Sequence, residues 1–167
     1  MAMPPKLPVK INGKEMTYFD ALVYRVKKYV EAEGMTLNFE GYQETIERYE
    51  RMKKTNISEV WEIGQELNAW SEYLSDVRGN IKLLLKNAET EKMSIIATAS
   101  INADTAKVAN GNRLANRDVS VIEIRKKRNA LEAMLLILDS KIAFLDKAYY
   151  YCKGTCEWAT KTPEMFQ

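Results

Sequence analysis

Val60, Ile63, Leu67, Trp70, Leu74, Val77, Ile81, Leu84 and Ala88 follow one another at alternating spacings of three and four. A second series, Val121, Ile124, Leu131, Leu135, Leu138, Ile142, Leu145, Tyr149 and Cys152, keeps the same rhythm, with Arg128 as its one polar break. A long helix needs this spacing to bury one seam against another helix. The pattern predicts two long helices, from Ser58 to Ala99 and from Asp118 to Gly154, with Ser58 as N-cap of the first and Asp118 of the second. Between them, residues 100–117 are rich in Ser, Asn, Ala and Asp, and Asn110-Gly111 is a turn signal, so the stretch reads as a linker. Folding the helices antiparallel about it sets residues whose numbers sum to roughly 217 side by side. Gly64 and Gly79 fall inside the first long helix and mark either a close backbone approach or a bend.

The first third is patterned differently. Residues 1–16 read as a Pro-containing N-terminal arm; a small hairpin from Val9 to Lys14 around Asn12-Gly13 is the alternative, but its flanking runs are short. Thr17 with Asp20 is a variant capping box that opens a short helix ending at Gly34, with Phe19, Leu22, Val23, Val26 and Val30 on its apolar face. A second short helix is expected from about Glu40 to Lys53, with Ile46 and Tyr49 inward. The fold class expected is therefore all-α: a long antiparallel helical hairpin or coiled coil over residues 58–155, two shorter N-terminal helices over 17–57, and a tail over 156–167. A further apolar line on the last helix, Ile122, Leu136, Ala143 and Tyr150, is wider than one partner needs and implies a homo-oligomer.

Composition changes this picture little, but the placement of charge changes it a good deal. With 46% apolar and 29% charged residues, the 167-residue chain is of ordinary globular or coiled-coil type. Its net charge of +2 points to no partner. Residues 78–128 nevertheless carry 11 basic and 5 acidic side chains, against 10 and 13 for residues 1–77. No run approaches the roughly 18 apolar residues of a membrane span. The first ten residues lack the apolar stretch of a signal peptide, and two cysteines are too few for a disulfide scaffold. The expected location is the cytoplasm of a bacterium or of a phage-infected cell.

The chain has no histidine, which removes the commonest general base and zinc ligand. It has no Gly-rich phosphate loop and no cysteine knuckle, so no catalytic residue, metal or cofactor is assigned. A metal held by Cys152 and Cys156 would need a second subunit. Glu44 and Glu47, followed by Glu72 and Asp76, resemble the paired acidic motifs of MazG-type nucleotide pyrophosphohydrolases, which bind magnesium. The second motif, Glu72-Tyr73-Leu74-Ser75-Asp76, is one residue too long, which turns Asp76 about 100° off the required face. Solvated carboxylates are the simpler reading.

Arg125-Lys126-Lys127-Arg128 is the stronger signal, because four consecutive cations surround the helix instead of forming one stripe. Arg128 lies in the core register, where a guanidinium is costly unless the seam opens there. Lys92, Lys107, Arg113 and Arg117 add charge from the neighbouring stretch, and a phosphate backbone is the natural ligand. Tyr149, Tyr150 and Tyr151 read as packing against Trp61, Trp70 or the short helices, not as a stacking platform.

The order of parts is similar to that of the UvsY-type recombination mediators of tailed phages. Trp70-Ser71-Glu72-Tyr73-Leu74 resembles that family's aromatic-Ser-x-aromatic-Leu stretch. A lysine-bearing helix follows through Lys82, Lys86 and Lys92, and Leu138-Asp139-Ser140-Lys141-Ile142 and the aromatic, Cys-containing tail also look similar. The resemblance covers roughly residues 65–155. It implies a non-enzymatic, oligomeric accessory protein that binds single-stranded DNA and helps a recombinase displace single-strand binding protein. Where the family has a basic pair for DNA, this chain reads Ile96-Ala97-Thr98-Ala99-Ser100, so the binding charge would lie in Lys92, Lys107 and the 125–128 run. A structural or inhibitory coiled-coil protein acting on a protein partner is the alternative.

Overall fold

The structure is a computed structural model that describes residues 9–102 and 118–162. It is predominantly helical with one small sheet. In chain order the elements are β1 (Val9–Ile11), β2 (Lys14–Met16), α1 (Tyr18–Glu31), α2 (Tyr42–Arg51), α3 (Ile57–Asn102) and α4 (Val119–Lys161). The chain divides into two units, one of residues 1–37 with 79–137, the other of residues 38–78 with 138–167. Both α3 and α4 contribute to each.

In the first unit, β1 and β2 form an antiparallel hairpin with Lys10 opposite Glu15. Asn12 and Gly13 take φ of 50° and 77°, as a tight hairpin turn demands. The arm expected over residues 1–16 is thus a hairpin from Val9 to Met16, which adds a sheet to an otherwise all-helical fold. Thr17 caps α1 as its sequence implied: the Asp20 amide donates to the Thr17 hydroxyl at 3.1 Å, and that hydroxyl donates to the Asp20 carboxylate at 2.6 Å. Ala21, Leu22, Val26 and Val30 of α1 are buried, as are Ile81, Leu84 and Ala88 of α3 and Val121, Ile124, Leu131 and Met134 of α4. Lys127 reaches Glu91 at 3.6 Å.

The second unit holds α2 and the remaining parts of α3 and α4. Its core contains Tyr42, Val60, Ile63, Leu67, Leu74, Val77, Leu138, Leu145, Ala148 and Cys152. On α2 the inward residues are Tyr42 and Thr45, with Ile46 and Tyr49 only half-buried. The Ser71 hydroxyl donates to Asp146 at 2.5 Å, and Arg78 pairs with Asp139. These contacts show α3 and α4 antiparallel in this unit, in the register expected from the sequence. Burial pushes the Tyr42 phenol up to about 12 and the Cys152 thiol up to about 11, so both stay protonated at neutral pH.

Three element ends differ from expectation. The first turn of α3 is capped by Asn56, whose side chain accepts from the Glu59 amide at 3.3 Å, so Ser58 lies inside the helix. α3 continues to Asn102, into the stretch read as linker; the remainder of that stretch and the Asn110-Gly111 turn lie outside the described residues. Gly154 does not stop α4, which runs on to Lys161. Cys152 and Ala159, buried on either side, hold the helix through the glycine.

The two α3 glycines divide between the alternatives. A Cβ on Gly64 would sit 3.0 Å from the Cys152 Cβ, whereas one on Gly79 would meet nothing within 4 Å. Gly64 is therefore a close-approach residue and Gly79 only an entropic cost. Gly79→Ala is expected to stabilise the fold by up to about 1 kcal/mol. Gly64→Val should destabilise it by about 1–3 kcal/mol through overpacking. Urea denaturation of the two variants measures both.

Candidate nucleic-acid interface

The four consecutive cations do not behave alike. Lys126 is exposed and donates to Glu123 at 2.8 Å; the pair raises the Lys126 ammonium pKa and lowers the Glu123 carboxyl pKa through their hydrogen bond. Lys127 is partly buried between Glu91 at 3.6 Å and the ring of Tyr29, whose centroid lies 6.0 Å from its Nζ. Arg125 is half-buried. Arg128 is half-buried, with one terminal nitrogen donating to Asn129 at 3.3 Å and a buried Nε that meets no partner among the described residues. Ile124 and Leu131 on either side are buried. The seam thus stays packed around Arg128 instead of opening, and the cost of burying it remains as one orphaned N–H.

Lys92 is partly buried on α3 in the same unit. Lys107, Arg113 and Arg117 lie outside the described residues.

The structure adds cations from α1 to the basic run. The N-terminal third is acidic on balance, yet α1 lies along α4 in the first unit. Between them runs an open groove of about 780 Å³, walled by Tyr18, Arg25 and Lys28 on one side and Lys126, Asn129 and Ala133 on the other. Tyr24 and Lys27 also reach it. Tyr18 and Tyr24 are more than half exposed, at 56% and 54%. Lys28 Nζ lies 4.7 Å from the Tyr29 ring centroid, so Tyr29 has cations from α1 and α4 beside it. Lys27 is paired with Glu31 at 3.5 Å, whereas Arg25 makes no ion pair among the described residues.

No family model, no curated protein and no solved structure matches this chain. The signal for α1 was present in the sequence as Tyr24-Arg25-Val26-Lys27-Lys28-Tyr29, three cations between two aromatics. Totalling charge over the first 77 residues concealed it.

The other constellations are dispersed in the second unit. Glu47 pairs with Arg51 at 3.7 Å, Glu72 accepts from Asn68 at 2.8 Å, and Glu44 and Asp76 are exposed. Among the described residues no three His, Cys, Asp or Glu side chains gather as a metal site would require. The Cys152 sulfur faces the Met52 sulfur at 4.0 Å, and Cys156 lies 3.9 Å from the Ile57 carbonyl. Of the three consecutive tyrosines, Tyr151 packs edge-on against Tyr49 of α2, centroids 6.5 Å apart, while Tyr150 is 66% exposed. The packing expected of the three thus fails at Tyr150.

Proposed function

We propose that this protein is a DNA-binding accessory factor of phage recombination or replication, one that holds single-stranded DNA while a recombinase displaces single-strand binding protein. The observation that supports the reading is the meeting of Arg25 and Lys28 from α1 with Lys126 from α4 along one groove. Separate helices that bring cations to one open channel make a track for a phosphate backbone. Nothing in the reading calls for catalysis, a metal or a cofactor: binding is electrostatic. Lys107, Arg113 and Arg117, outside the described residues, are proposed as further phosphate contacts.

The same reading makes the protein a homo-oligomer in the host cytoplasm. Ile122 and Leu136, the latter 68% exposed, and the 66% exposed Tyr150 are apolar residues on α4 that α4 alone leaves in solvent. Several copies would then offer weak sites to one strand, which multiplies affinity without new contacts.

Titration of single-stranded DNA at two salt concentrations tests the proposal. Affinity is expected to fall with salt at a slope of about 0.7 per phosphate contact, and replacing Arg125, Lys126, Lys127 and Arg128 by Ala should flatten that slope by up to about 3. No measurable binding at low salt, or an unchanged slope in a folded quadruple variant, would transfer the assignment to a coiled-coil protein that acts on a protein partner.

A further inference from the structure

We infer that the groove between α1 and α4 receives unpaired bases as well as phosphates, with Tyr18 and Tyr24 as stacking surfaces and Arg25, Lys28 and Lys126 as backbone contacts. The inference rests on the strand-binding reading above and adds to it a reason for preferring single strands. Charge alone supplies none. A duplex carries one phosphate per about 1.7 Å of axis, so a purely cationic surface favours the duplex. Preference for a single strand needs contacts that only an unpaired base can make, and stacking on an aromatic ring is the commonest of these.

The groove is equipped for it. Tyr18 and Tyr24 leave more than half of their surface in solvent, although large rings usually find cover. Tyr29 differs from them, since Lys28 and Lys127 stand beside it and make it an anchor for cations. On the α4 side Ala130 and Ala133 are small, so the width of the groove is not filled by the chain's own side chains. Asn129 stands between them and Lys126 with an amide able to donate to and accept from a base edge. Among the described residues Glu31 is the one carboxylate in the lining, and it is engaged by Lys27. Cations, exposed rings and an amide on one channel match a nucleotide's phosphate, base face and base edge.

Two strands of equal length and equal charge separate stacking from electrostatics: oligo(dT) and the same backbone made abasic. Full-length protein is titrated with each by fluorescence anisotropy at one salt concentration. Wild type is expected to bind oligo(dT) roughly fivefold or more tightly than the abasic strand, the gain from stacking at least one base. The pair Tyr18→Ala and Tyr24→Ala should bring that ratio close to one, and Tyr18→Phe with Tyr24→Phe should restore it, because the ring is kept. Equal affinity of wild type for the two strands would overturn the inference while leaving strand binding intact. A ratio that survives the double Ala variant would overturn it for these two rings. Absence of binding to either strand would remove both the inference and the function it rests on.

Discussion

Replacing Arg25, Lys28 and Lys126 together by Ala is expected to weaken single-stranded DNA binding on the order of 100-fold at about 0.1 M salt. Each phosphate contact scales affinity with salt to the power of about −0.7, which is a factor of roughly five at that concentration, so three contacts multiply to that figure. The salt slope should become shallower by about 2 in the same variant. All three side chains are exposed, and Ala is the best helix former, so helix content should not change. The interactions lost among the described residues, the Lys126–Glu123 ion pair and the Lys28–Tyr29 cation–π contact, lie at the surface and contribute little. A charge-matched control removes Lys147, Lys153 and Lys161, exposed residues of the second unit. If the control weakens binding as much as the groove variant, net charge and not the groove governs affinity, and the assignment of the interface to α1 and α4 fails.

Most of the helical core could be read from the sequence because the seam repeats. Eight of the nine α3 positions in the series are buried, the exception being Trp70, which is half-buried and stacks edge-on with Tyr42 and Tyr73. The contact register between α3 and α4 also followed: Ser71 with Asp146 and Arg78 with Asp139 in one unit, and Glu91 with Lys127 in the other, keep the expected sum of residue numbers to within one. What could not be read was set by elements that break the repeat. The cap of α3 moved to Asn56 because Asn and Ser serve equally as caps, and only the backbone decides between them. The groove was missed because its two walls are about 100 residues apart, and summed charge reports abundance without position. The 125–128 run was found, yet Lys126, Lys127 and Arg128 have different surroundings, since successive residues on a helix point about 100° apart. Arg128 shows the consequence: a cation in the core register keeps its place at the cost of an unpartnered Nε.

The largest losses of stability are expected at the seam, and they distinguish the strict heptad from what the structure shows. Leu74, Ile81 and Leu138 are fully buried, and each truncation to Ala should cost about 2–5 kcal/mol in urea denaturation. Leu135 was expected to join them, but it is only half-buried, and the fully buried residue beside it is Met134. In the first unit one flank of α4 faces α1. Lys127, Ala130 and Met134 occur at i, i+3 and i+7, so they share a face. Lys127 lies beside Tyr29 of α1, and Ala130 lines the same groove as Leu22. In the second unit Ala148 is likewise buried where Tyr149 is half-buried, so the buried line departs from the sequence series in both units. The spacing of buried residues from Leu131 through Met134 to Leu138 is accordingly three and then four, where the sequence series has four and then three. Met134→Ala should therefore cost within the full core range, and Leu135→Ala roughly half as much, in proportion to the area each removes from water. A larger loss at Leu135 than at Met134 would return the core to the strict heptad.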